Sequence, residues 1–93
     1  MIDQLKEKSI TGENQYSGSV PLGGLFNFSL SGTWQAIVTV QRSFDGGSTW
    51  FDVATFGTPG EYVGHEVEKD VRYRFGVKTG DYTSGTIIGR LSQ

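Results

Sequence analysis

The chain has 93 residues, with eight Lys and Arg against ten Asp and Glu, one His, no Cys, 14 Gly, two Trp, four Tyr and six Phe. That length accommodates one hydrophobic core, so a single domain is expected. The net charge of −2 argues against nucleic acid as a general partner, and the lack of cysteine excludes a disulfide framework or a thiolate metal site. No apolar run reaches the roughly 20 residues of a membrane span. Met1 to Lys8 lacks the apolar stretch of a signal peptide, so cytosolic synthesis without a membrane partner is expected.

Residues 1–8 show helical spacing only at Ile2 and Leu5, too short a pattern for a stable helix, and are expected to form an N-terminal arm ahead of a domain spanning 9–93. Ser9 to Tyr16 is weakly strand-like and is closed by the turn formers Ser17-Gly18-Ser19, Pro21 and Gly23-Gly24. From Leu25 the period becomes two, with Phe26, Phe28 and Leu30 on one face and Asn27 and Ser29 on the other. After Ser31-Gly32, Trp34, Ala36, Val38 and Val40 alternate with Gln35, Ile37, Thr39 and Gln41, which predicts the longest strand, running to about Arg42 or Ser43 and central in its sheet.

Beyond the Asp45-Gly46-Gly47 hairpin, Phe51, Val53 and Thr55 are expected on one face and Asp52, Ala54 and Phe56 on the other. Gly57-Thr58-Pro59-Gly60 reads as a turn, and Glu61 to Glu68 as a polar strand. Val71, Tyr73, Phe75 and Val77 then alternate with Arg72, Arg74, Gly76 and Lys78, and a last strand runs from Thr86 to Leu91 with either Ile87 and Leu91 or Ile88 inward. About seven short strands without an intervening helical pattern exclude a parallel βαβ arrangement. The expected fold is all-β, an antiparallel β-sandwich, with a small barrel as the alternative closure.

Arg72, Arg74 and Lys78, with Arg90 beside them, are candidates for gripping phosphate or an acidic partner; the simpler expectation is a solvated face paired with Glu66 and Glu68 on a neighbouring strand. His65, the one histidine, is expected at the surface. With no second imidazole and no G-x-S-x-G sequence, neither a zinc site nor a nucleophilic triad is expected, and no cofactor.

Ser43-Phe44-Asp45-Gly46-Gly47-Ser48-Thr49-Trp50 matches S-x-D-x-G-x-T-W and so resembles the Asp box, the hairpin repeat of sialidases and other β-propellers. The resemblance implies a structural hairpin carried by Ser43, Asp45, Gly46, Gly47, Thr49 and Trp50. One copy cannot build a propeller, so sialidase activity does not follow. The segment 67–77 resembles strand F of fibronectin type III and other immunoglobulin-like domains, with Val67, Tyr73 and Val77 in place of that strand's aliphatic, tyrosine and valine positions. That resemblance implies an immunoglobulin-like sandwich in which Tyr73 is the corner tyrosine, its hydroxyl bonded back to the preceding loop.

Taken whole, the stretches 32–47, 77–86 and 90–93 resemble small virion proteins of tailed bacteriophages and prophages. What this implies is a non-enzymatic structural protein, foremost a capsid decoration (cement) protein, located in the virion. It would form a homo-oligomer, contact the major capsid protein or another virion protein, and use Ile2, Leu5, Arg72, Arg74 and Lys78 as contact residues. A tail, head-fibre or adsorption component that binds a host surface is the alternative within the particle. A carbohydrate-binding module stacking sugar rings on Trp34, Trp50, Phe51 or Tyr82 is the alternative outside it.

Overall fold

In a computed structural model, residues 5–93 are described. They form nine antiparallel strands: β1 (Leu5–Ile10), β2 (Gln15–Tyr16), β3 (Val20–Ser31), β4 (Trp34–Ala36), β5 (Val38–Ser43), β6 (Phe51–Phe56), β7 (Gly60–Val77), β8 (Tyr82–Gly85) and β9 (Ile87–Ser92). Seven belong to one hydrogen-bonded sheet, in the order β1-β9-β3-β7-β5-β6 with β2 added to β7, while β4 and β8 form a separate pair. The sheet doubles over on itself because β3 and β7 are long and bend together.

The bend has a local cause. Val20 to Leu22 pair with Tyr73 to Val71, whereas Gly24 to Leu30 pair with Glu66 to Gly60, so Gly23 alone faces the four residues Val67 to Asp70. Those four bulge outward, with Asp70 at φ 61° and Gly24 at φ 78°, values that Gly adopts freely and Asp tolerates better than most residues. A Cβ on Gly23 would stand 3.1 Å from the Glu68 carbonyl oxygen, so a side chain there would press on the backbone of the bulge. One layer therefore contains β1, β9, the second half of β3 and the first half of β7. The other contains β2, the start of β3, the second half of β7, β5 and β6.

Between the layers lie the alternating side chains of each strand, as the pleat requires: Phe26, Phe28 and Leu30 of β3, Val71, Tyr73, Phe75 and Val77 of β7, Val38 and Val40 of β5, and Ile87 and Leu91 of β9. Phe28 sits at the centre, its ring centroid 5.3 Å from that of Phe75, 5.4 Å from Phe56 and 6.3 Å from Tyr62. Phe26 packs on Tyr73 at 4.8 Å. A Cβ on Gly89 would fall 2.2 Å from the Phe75 ring, so β9 approaches β7 only because that residue has no side chain.

Several expectations change. Leu5 to Lys8, expected as the end of an arm, open β1, an edge strand hydrogen-bonded to β9; a partner strand supplies the order that a short isolated segment lacks. Ile2 and the rest of 1–4 lie outside the described residues. Pro21 and Gly23-Gly24 do not close a turn but sit within β3. The long strand expected from Trp34 is split at Ile37, so Trp34 to Ala36 pair with β8 while Val38 to Ser43 run between β7 and β6. Glu61–Glu68 and 71–77 are two halves of one strand.

In β6 the register slips between Val40 and Gln41, whose partners are Ala54 and Asp52. Val53 is the extra residue, and Asp52 joins Thr55 on the outer face instead of sharing a side with Ala54 and Phe56.

Candidate functional site

The Asp box hairpin closes β5 onto β6. Asp45 Oδ1 accepts hydrogen bonds from the Ser43 hydroxyl at 2.6 Å and from the amides of Thr49 at 2.9 Å and Ser48 at 3.1 Å, while Ser43 Oγ accepts from the Gly47 amide at 2.9 Å. Gly46 and Gly47 take φ of 78° and 107°, as this turn demands of them. The Ser43 hydroxyl, followed by the Thr49 amide, holds the Asp45 carboxyl well below the usual carboxylate range. Every one of these bonds is internal to the turn. In Asp45→Ala the Ser48 and Thr49 amides should exchange with solvent at least about tenfold faster while the strand amides keep their protection, as amide exchange followed by NMR would show.

On the outer face of the β5 layer, the Arg74 guanidinium lies between two rings, 4.2 Å from the Tyr16 centroid and 4.3 Å from that of Trp50, a stacked cation–π arrangement. Its Nε donates to Gln41 Oε1 at 2.9 Å, and Gln41 Nε2 donates to Asp52 at 2.9 Å. Asp52 pairs with Lys78. Arg72 donates to Ser19 at 3.1 Å. The basic stripe is thus tied down one residue at a time, but by Ser19, Gln41, two rings and Asp52, not by Glu66 and Glu68. Arg90 is not part of it: it lies in β9 opposite Glu7 and Ser29.

Glu66 instead points inward, 2 % exposed. It accepts from the Tyr73 hydroxyl at 2.7 Å, from Arg42 at 2.9 Å and from the Glu68 amide at 3.0 Å. Burial alone would raise its pKa, and it is the largest single influence; the three donors together outweigh it and keep the carboxyl below its ordinary value. Burial, then the bond to Glu66, pushes the Tyr73 phenol up to about 12. Tyr73 does bond back along the chain, but to a side chain seven residues upstream in its own strand and not to a loop. Val67, which the strand F resemblance puts at that strand's aliphatic position, is 83 % exposed because it belongs to the bulge.

The aromatics suggested for sugar stacking are separated by the fold. Trp34 and Tyr82 sit on the β4–β8 pair and pack against the core, with the indole N–H donating to the Ser31 carbonyl at 3.1 Å and the Tyr82 hydroxyl to that of Gly85 at 2.7 Å. Trp50 is occupied by Arg74. Phe51 is half exposed and pairs with Phe44, centroids 6.0 Å apart, beside Arg42. These three residues, with Asp52 and Val53, line an open depression of about 400 Å³.

Two features had no clear signal in periodicity. The first is the open side of the sandwich. β6 and β7 are joined by a short loop at 57–59 yet pair with different strands, β6 with β5 and the first half of β7 with β3. Among the described residues neither strand has a partner on its other edge there, and a cavity of about 200 Å³ floored by Phe26, Phe28 and Val40 lies between them.

The second is the outer face of the β9 layer. Register aligns Leu5, Ser92, Asn27 and Val63 in one row across β1, β9, β3 and β7. Val63 is 71 % exposed and Leu25, one step along β3, is 69 % exposed, with Ile88 also outward. The alternation seen at Phe26 to Leu30 did place Asn27 and Ser29 outside, but only cross-strand register brings Leu25 next to Val63.

No family model, curated protein or solved structure matches the chain. The class defined by the fold is an all-β, sandwich-like domain, and the outer face of its β9 layer sets Leu25 and Val63 exposed among Asn27, Ser29, Glu61 and Arg90.

Proposed function

We propose that the protein is a non-enzymatic structural subunit of a tailed-phage particle, a capsid decoration protein that seats one sheet face on capsid subunits. The virion-protein resemblance of segments 32–47, 77–86 and 90–93 supplies the class. The observation that carries docking is the contrast between the two outer faces. One is filled by the Tyr16–Arg74–Trp50 stack and the Gln41–Asp52–Lys78 chain, whereas the other presents Leu25 and Val63, with Leu5 in the same row as Val63, among Asn27, Ser29, Glu61 and Arg90. Exposed aliphatic side chains that adjoin on a sheet face are candidate contact points. A small contact of this kind binds weakly once and firmly when repeated over a lattice. Glu66, the buried carboxylate, accepts from three donors and is held ionised, which suits a structural role better than general acid catalysis.

Counting copies in purified particles tests this reading. A decoration protein is present at hundreds per head, and the purified protein added to emptied heads raises their melting temperature. Leu25→Asp should abolish that rise while leaving the domain folded. A few copies at one vertex would replace the proposal with the fibre or adsorption reading, and absence from particles would end it.

A further inference from the structure

Among the described residues the long free strand edges are those of β1, β6 and the first half of β7, besides shorter ones such as those of β2, β4 and β8, and the long ones differ in charge pattern. β1 carries Lys6-Glu7-Lys8 on its exposed edge. A second copy pairing antiparallel there about Lys6, Glu7 or Lys8 would set like charges directly opposite each other, which is destabilising. Lys6 and Lys8 lie opposite Leu91 and Gly89, so they point toward the inner side of the sheet, where a charge blocks edge-to-edge pairing. The opposite side of the sandwich has no such guard. There the first half of β7 offers an unpaired backbone edge over 60–66, with Glu61, Val63 and His65 outward, and β6 lies in the other layer with Phe51 and Val53 half exposed.

We propose that this side is a self-association surface, at which β7 of one copy pairs antiparallel with β7 of a second about a two-fold axis through Val63. Two-fold pairing of strands in one sheet keeps each side chain on its own face, so opposed residues must sum to an even number, here 126. Val63 then meets its counterpart, and Glu61 meets His65 of the second copy twice. An imidazole N–H donates to a carboxylate in either protonation state. Glu61 has an oxygen to spare, since the Ser29 hydroxyl occupies Oε1. Tyr62 falls opposite Gly64, an inward position with no side chain of its own, over which the Phe26 ring packs.

The two layers end on the same side, so the same axis brings the β6 edges together and covers Phe51 and Val53. The apolar area enclosed is on the order of 300 Å² per copy, well under the roughly 800 Å² of a standard partner surface. The dimer is therefore weak in isolation, in the micromolar range or above. It does not depend on a virion role.

Sedimentation of the full chain from about 1 µM to 1 mM tests the pairing. The expected result is a reversible monomer–dimer equilibrium with concentration-dependent amide protection confined to the β7 edge at 60–66 and to β6. His65→Glu should weaken the dimer by about tenfold or more and His65→Lys should preserve or tighten it, because only the first opposes like charges. Val63→Lys should leave a folded monomer. A wild-type protein that stays monomeric at 1 mM, a dimer that survives Val63→Lys, equal effects of the two His65 variants, or protection appearing on β1 instead would each overturn the proposal.

Discussion

Phe28→Ala is expected to lower the stability of the domain by about 3–5 kcal/mol, the range for removing a buried phenylalanine. Phe28 is 3 % exposed and touches the rings of Phe56, Tyr62 and Phe75, so its loss uncouples both layers at their centre. The rings around it belong to three different strand segments and cannot close the gap by a single shift. A domain of 93 residues has a total stability of about 5–14 kcal/mol at the usual value per residue. The variant should therefore melt at least about 12 °C lower in a calorimetric scan, or fail to fold at growth temperature. Leu25→Ala, three positions earlier and on the opposite face, should change stability by no more than about 0.5 kcal/mol. Equal effects from the two would show that the layered core is wrong.

Glu66→Ala is the second large effect, expected at about 2–3 kcal/mol and a melting temperature lower by about 10–20 °C. The cost falls chiefly on Tyr73, whose buried hydroxyl would lose its acceptor. Arg42 is more than a third exposed and can turn to water, so the full penalty of breaking a buried ion pair does not apply. Tyr73→Phe removes donor and hydroxyl together and should cost less than Glu66→Ala; the reverse order in denaturant titrations would contradict this assignment.

The same carboxyl sets a pH dependence. Glu66 and Asp45 are both held below their ordinary values in the folded chain, so between the folded and unfolded pKa values the unfolded chain binds more protons. Their stabilisation is complete above the ordinary carboxylate pKa of about 4 and is lost as pH falls through the lower folded values. Melting temperature should therefore decline below about pH 4.5, and less steeply in Glu66→Gln than in the wild type.

The elements most legible in the sequence were those whose information is local. Phe26 to Leu30 and Val71 to Val77 alternate strictly, and the structure buries the expected residue at each step. The Asp45-Gly46-Gly47 hairpin follows from residues within eight positions of one another, and its hydrogen bonds close within that span. Leu91 and Ile87 point inward, with Ile88 outside, resolving an alternative that period two leaves open until β9 is given a partner.

The misplaced features all depend on pairing. Residues 61–68 and 71–77 read as two strands because the alternation breaks at Val67 to Asp70. That break is a corner, since both halves pair with β3 on either side of Gly23. The same corner throws Val67 outward and turns Glu66 inward, which neither polarity nor the strand F resemblance foretold: a charged residue at a core position becomes tolerable only when Tyr73 and Arg42 arrive from other registers. The single slip at Val53 moved Asp52 to the outer face, where Gln41 and Lys78 receive it.

Composition and period determined by themselves that this chain would be an antiparallel all-β domain and which side of most strands would be dry, because side-chain direction along an extended backbone repeats every two residues whatever the strand pairs with. Tertiary structure alone decided which strands are neighbours, where the sheet folds over, and hence which edges and which outer face remain open. Those are properties of register between residues as far apart in the chain as Leu5 and Ser92, and no window along the chain contains both ends of such a contact.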